Sequence, residues 1–148
     1  MDFKFEITTI PVADVDRAKA FYDKLGWRLD ADFLLDDGTR AIQYTPPGSA
    51  ACIHFGKGFI TTPPGSAQGL YLIVDDVEAA RNEIAGRGVE ISEVFHEAGG
   101  GIPRAESEGR VLGFAPDRGT YLSFASFNDP DGNGWVLQEI TERIPGRE

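Results

Sequence analysis

The sequence predicts an α+β protein made of two tandem β-α-β-β-β modules. Three observations carry that prediction. One amphipathic helix set among short alternating apolar runs occurs twice along the chain. Asp14-Val15-Asp16-Arg17-Ala18 lies over Asp76-Val77-Glu78-Ala79-Ala80, and Gly26 lies over Gly88, both 62 residues on. Thr45-Pro46-Pro47-Gly48-Ser49 lies over Asp129-Pro130-Asp131-Gly132-Asn133, 84 residues on. The difference of 22 residues fits one insertion, the glycine-, proline- and charge-rich run from Glu97 to Gly119.

Each element has its own warrant. Phe5 to Val12 reads as a strand, with Pro11 near its end, where a missing donor does least harm. Asp14 can cap a helix whose apolar positions Val15, Ala18, Phe21, Tyr22 and Leu25 recur at helical spacing. Gly26 follows, where a left-handed cap is expected. Trp27 to Leu35 and Thr39 to Tyr44 read as strands joined by Asp36-Asp37-Gly38, and Ala51 to Phe55 as a fourth. The first module thus spans about 1–56, residues 57–68 form a linker, and the second module spans about 69–148, all within a single domain. In the second module Leu70 to Val74 is a strand and Asp76 a cap. Val77, Ala80 and Ile84 stripe a helix ending near Gly88. Val89 to Phe95, Thr120 to Phe127 and Trp135 to Thr141 complete the strands.

Bulk properties exclude several classes of function. A chain of 148 residues, 41% hydrophobic and 26% charged, has an ordinary globular profile with room for a core. A net charge of −10 with no basic run repels phosphate backbones, so nucleic acid is not an expected partner. No apolar run is long enough to span a membrane, and no signal-peptide pattern opens the chain. A single cysteine, Cys52, rules out an internal disulfide and fits a cytoplasmic protein.

Asn128-Asp129-Pro130-Asp131-Gly132-Asn133 leads by a tight turn into a final strand that carries Gln138 and Glu139 among apolar residues. A carboxylate and an amide in such a strand need partners or a wet cavity. This turn and strand resemble the C-terminal signature of the glyoxalase, bleomycin-resistance and extradiol-dioxygenase superfamily, also called vicinal oxygen chelate proteins. The run Ile10-Pro11-Val12-Ala13-Asp14-Val15-Asp16-Arg17, followed by Phe21-Tyr22, resembles its N-terminal signature. The resemblance covers nearly the whole chain. It implies two sheets forming a cupped, half-open barrel around a small-molecule ligand, helices on the outer faces, and a homodimer.

Members of that family usually hold one divalent ion with His and Glu side chains on the first and last strand of each module. Carried onto this chain, the slots fall at Ile7 and Gly69 in the first strands and at Cys52 and Val136 in the last. Only Cys52 has a metal-binding side chain, and a lone thiol is not a site. A one-residue slip offers Glu6 and Glu139 but no histidine. The expectation is a member that has lost the metal and needs no cofactor.

The chain has two histidines. His54 lies 84 residues before Gln138, and strand alternation puts both on the face of Cys52 and Val136. His96 ends a strand at the mouth of the long insertion. Imidazoles titrate near neutrality, so His54 and His96 are candidate acid-base groups, with Gln138 orienting a substrate carbonyl. The plainer alternative is a hydrogen-bonded histidine in a strand and a surface histidine at a strand end. A displaced metal site of His54, His96 and Glu139 or Gln138 ranks lower. Tyr44, Cys52, Tyr71, Phe124, Trp135 and Val136 are candidate ligand contacts, with Phe55 as further aromatic bulk favouring a flat, apolar ligand. Arg104, Arg110 and Arg118 in the insertion are candidate clamps for an anionic group, Arg110 foremost. Alternatively they pair with Glu97, Glu106, Glu108 and Asp117.

Three functions follow in order. The first is a metal-independent acid-base enzyme of isomerase, cyclase or lyase type acting on an aromatic or polyketide-like metabolite. The second is a non-catalytic protein that sequesters a flat compound. The third is a metal enzyme of glyoxalase or dioxygenase type.

Overall fold

Two aspartates open the two helices. In the computed structural model, which describes residues 1–105 and 107–147, the Asp14 carboxylate accepts the Arg17 N–H at 3.0 Å and the Asp76 carboxylate accepts the Ala79 N–H at 3.0 Å. Gly26 and Gly88 follow the helices at φ +77° and +84°, a backbone conformation that disfavours a Cβ. Both β-α-β-β-β modules are present. By their contacts the residues form two units, Met1–Gln68 with Asp129–Asn133, and Gly69–Asn128 with the segment from Gly134 on.

The first unit contains β1 (Ile7–Thr9), α1 (Val15–Lys24), β2 (Arg28–Leu34), β3 (Arg40–Thr45) and β4 (Cys52–Lys57). Its sheet has the order β1-β4-β3-β2, with β1 parallel to β4 and the other pairs antiparallel. The core lies between α1 and one sheet face. The Tyr22 ring from α1 sits 5.9 Å from Tyr44 and 5.5 Å from Phe55, all three fully buried. Burying each such side chain contributes about 1.5–3 kcal/mol.

The Asp129–Asn133 turn belongs to this unit and is wired into it. Asp129 Oδ1 accepts the N–H groups of Asp131 and Asn133, both at 2.9 Å. Its Oδ2 accepts the Tyr22 hydroxyl at 2.9 Å and the Asn133 amide at 2.8 Å. Asn133 also donates to the Pro11 carbonyl and accepts from the Ala67 N–H. The Asp129–Asn133 turn is therefore a saturated structural hub.

The second unit contains β5 (Leu70–Val74), α2 (Val77–Gly86), β6 (Phe95–Glu97), β7 (Arg110–Leu112), β8 (Phe124–Asn128) and β9 (Gly134–Glu139). Its order, β5-β9-β8-β6-β7 with β5 parallel to β9, repeats that of the first sheet and adds β7 at the edge. Glu139 is fully buried and finds the partners its position demands. It accepts the first N–H of α2 from Val77 at 3.0 Å and a two-pronged contact from Arg118 at 3.0 and 2.8 Å.

Three expected elements differ. Val89 to Phe95 was expected as one strand, but regular pairing begins only at Phe95, with a single bridge at Ile91. There the Ser92 hydroxyl accepts the Ser126 N–H and takes the place of a ladder bond. Thr120 to Phe127 pairs only from Phe124, because Tyr121 turns to φ +71°. The long insertion is not one loop, since it contains β7 and two short 3-10 turns, Ser107–Gly109 and Pro116–Arg118.

Candidate functional site

Within each unit, strand alternation leaves one sheet face turned away from the helix, and the candidate groups divide accordingly. In the first unit that face carries Ile7 opposite Cys52, Thr9 opposite His54, and Gln43 opposite His54. Thr9 Oγ1 and His54 Nε2 share a 2.5 Å hydrogen bond, and the Phe59 ring lies 5.1 Å from the imidazole. Burial lowers the His54 pKa and holds the ring neutral at physiological pH. The Gln43 amide donates to Cys52 Sγ at 3.2 Å, and the thiol donates to the Glu6 carbonyl at 3.3 Å. Burial first, then the charges of Glu6 and Asp30, push the thiol pKa up, so Cys52 is no ready nucleophile.

Tyr44 is not on this face. Its register puts it with Ile53, and it is wholly buried against α1, where its hydroxyl donates to Asp23 at 2.5 Å. It is a core residue, and the expectation that it contacts a ligand is corrected. Phe55 is core for the same reason.

In the second unit the corresponding face brings together Tyr71 and Ser126 opposite Val136, and Ile73 and Phe124 opposite Gln138. Gln138 is already engaged, donating to the Tyr121 carbonyl at 3.0 Å. Tyr71 is 38% exposed, and burial of the rest raises its pKa. Phe124 lies on this face but is fully buried, 5.9 Å from Phe95. Arg110 stacks its guanidinium 3.9 Å over the Phe95 ring and donates to the Ser126 hydroxyl at 3.2 Å. Trp135 is corrected to core. As the neighbour of Val136 it points the other way, stacked against Phe127 at 6.2 Å.

His96 is half-buried, donates from Nδ1 to the Gly113 carbonyl at 3.0 Å, and is opposite Val111 in the sheet. It belongs to the second unit and His54 to the first. Of the other arginines, Arg118 serves Glu139 and Asp76, and Arg104 donates to the Gly100 carbonyl. Glu106, expected as a partner, lies outside the described residues. Thr9, Gln43, Phe59 and Ser126 were missed by sequence reasoning. Period-two counting from Ile7 and Val136 finds Thr9 but not Ser126, which depends on the pairing of β8 with β9.

The metal slots can be tested in register. Ile7 does lie opposite Cys52, but Val136 lies opposite Tyr71 rather than Gly69. The connection from first strand to helix is two residues longer in the first module, which displaces the repeat there. The slots therefore hold an isoleucine, a thiol with a raised pKa, a phenol with a raised pKa and a valine. That donor set does not fit a divalent ion. Glu139, offered by a one-residue slip, is committed to Arg118 and α2. Among the described residues no group of three or more His, Cys, Asp or Glu side chains could hold a metal ion. No helix among them is long and apolar enough to cross a membrane.

Comparison with known proteins agrees with this architecture. No curated protein matches the chain. Among solved structures, it is similar to TnmS3, an antibiotic binding protein from Streptomyces sp. CB03234, at 29% identity and a TM-score of 0.66, over 94% of this chain and 97% of that one. A glyoxalase/bleomycin resistance protein from the same organism is 30% identical with a TM-score of 0.64, over 92% and 100% of the two chains. A superfamily member from Sphaerobacter thermophilus DSM 20745 is 26% identical with a TM-score of 0.66, over 93% and 98%. A family model matches residues 4–137, and the chain belongs to the glyoxalase/bleomycin resistance protein/dioxygenase superfamily.

Proposed function

We propose that this protein binds and sequesters a small, flat, largely apolar molecule of antibiotic type on its helix-free sheet faces, without chemistry of its own. One observation carries the reading: the groups on those faces best suited to catalysis, His54, Gln138 and Cys52, are already bonded within the protein. His54 is bonded to Thr9, Gln138 to Tyr121 and Cys52 to Glu6, while the slots that the family resemblance assigns to a metal hold Ile7, Tyr71 and Val136 beside Cys52. What those groups leave is hydrocarbon and aromatic surface, which suits shape-based binding of an apolar ligand. The similarity to an antibiotic binding protein supports the same reading. On this reading the protein works as a homodimer in the cytoplasm.

The test is a titration of purified, chelator-treated protein with planar aromatic antibiotics, followed by tryptophan fluorescence and by recovery of the unchanged compound. Saturable binding with full recovery supports sequestration. Conversion of the compound, or binding that requires an added divalent ion, overturns it.

A second reading rests on the His54 imidazole, whose lowered pKa favours the unprotonated form that a general base needs. It makes the protein an acid-base catalyst. A His54→Ala variant that binds a converted compound normally but no longer turns it over supports this second reading, and unchanged conversion rules it out.

A further inference from the structure

Glu97 and Arg110 lie directly opposite each other on β6 and β7. Two opposite charges at such a cross-strand position ordinarily meet, but no ion pair joins these two. The Glu97 side chain is 1% exposed, and its Oε1 accepts the Arg104 N–H at 3.1 Å. Its Oε2 has no hydrogen-bond partner, and the nearest cation, Arg104 Nη1, stands 3.9 Å away. Arg110 Nε is buried and also lacks a partner, although Nη1 of the same group is bonded to Ser126. An acceptor and a donor are thus left unmatched at one cross-strand position.

Leaving a charged oxygen buried and unmatched is costly, so a fold that keeps it has a use for it. The local sequence accommodates the arrangement. A Cβ at Gly109 would fall 2.6 Å from Glu97 Oε2, so a larger residue there would push the carboxylate aside. Glu97 also lines a cavity of about 230 Å³ with His96, Ala98, Pro116 and Leu122, and is the one acid among the described residues around it. An apolar cavity of about 150 Å³ holds a benzene ring, so this one has room for a fused aromatic pair.

We propose that Glu97 is the polar anchor for the ligand, reading an aromatic or enolic hydroxyl. A hydroxyl bound in that cavity satisfies the group, its O–H donating to Glu97 Oε2. This rests on the sequestration reading and narrows it to hydroxylated flat compounds.

The test compares 2-naphthol with 2-methoxynaphthalene, which keeps the ring system and the oxygen but has no O–H. Affinities for the full chain are measured by probe fluorescence. A hydrogen bond to a buried carboxylate predicts that the wild type prefers 2-naphthol by about ten-fold or more. Glu97→Leu abolishes the preference. If Glu97→Leu does not fold, Glu97→Gln carries the comparison, with the preference cut to a few-fold. Equal affinity of the wild type for both probes, or an undiminished preference in the Glu97 variant, overturns the anchor and leaves sequestration standing. Failure of the wild type to bind either probe counts against sequestration of fused aromatics and overturns the anchor with it.

Discussion

Replacing Asp129 should cost the first unit much of its stability. The carboxylate is 5% exposed and accepts four hydrogen bonds, two on each oxygen. In Asp129→Asn the amide oxygen can still face the two backbone N–H groups, which turns the NH₂ toward Tyr22 and Asn133. The Tyr22 hydroxyl can rotate and accept, but one Asn133 N–H then meets a donor. With the charge also lost, the expected cost is about 3 kcal/mol, from about 1.5–3 per hydrogen bond to a charged group. Asp129→Ala leaves all four donors unmatched and should cost about 4–8 kcal/mol, against a typical total of about 5–15. Urea denaturation at pH 7 reads this, with Trp27, whose ring lies 5.4 Å from Tyr22, as a fluorescent reporter within the same unit. At a slope of about 2 kcal/mol per molar, the Asn variant shifts the midpoint down by about 1.5 M. A shift below about 0.3 M for Asn, or a folded Ala variant of near wild-type midpoint, would refute the assignment of the turn as a hub.

Three further outcomes are expected. Arg118 bonding holds the Glu139 pKa below its ordinary value, so its contribution is complete above about pH 4.5 and is lost as pH falls through the lower folded value. Glu139→Gln should therefore start with a lower urea midpoint at pH 7 and fall less steeply than wild type toward pH 3. Equal slopes would count against the linkage. The His54 C2 proton should titrate below the ordinary histidine value, with stability declining as pH falls from about 6.5 toward the folded pKa; an NMR midpoint above the unfolded value would contradict its burial. Tyr44→Phe should cost about 1–2 kcal/mol through loss of the Asp23 bond and leave ligand affinity unchanged. Altered affinity without altered stability would return Tyr44 to the site.

The helices were the most legible part of the sequence. A short acidic residue before an apolar stripe leaves few ways to start a helix, and Asp14 and Asp76 both cap as expected. The repeat also held where those caps anchor it. It failed between β1 and α1, where the connection from Ile7 to Asp14 exceeds that from Tyr71 to Asp76 and no residue pins the gap. That single slip moved a slot from Gly69 to Tyr71. The faces were legible only where alternation was applied strictly. Val136 and Gln138 share a face as expected, whereas Trp135 beside Val136 had to be core. The Glu139 partnership with Arg118 spans 21 residues, two strands and a turn among them, and no local pattern announces it. The same holds for Glu97, whose missing partner is a property of three-dimensional packing alone.

The placement of the Asp129–Asn133 turn in the first unit also bears on the order in which the chain can fold. Tyr22 and Asp129 are 107 residues apart in sequence, and Pro11 and Asn133 are 122 apart. On the ribosome, β1 through β4 emerge long before the residues that satisfy Tyr22 and Pro11. The first unit cannot close these contacts until nearly all of the second has been synthesised. Closing such distant contacts is entropically slow, and a chain stopped before Asp129 has no means of completing its first half. The two modules are duplicates in pattern but not separable in folding, and expressing residues 1–68 alone should yield an aggregating fragment rather than half a protein.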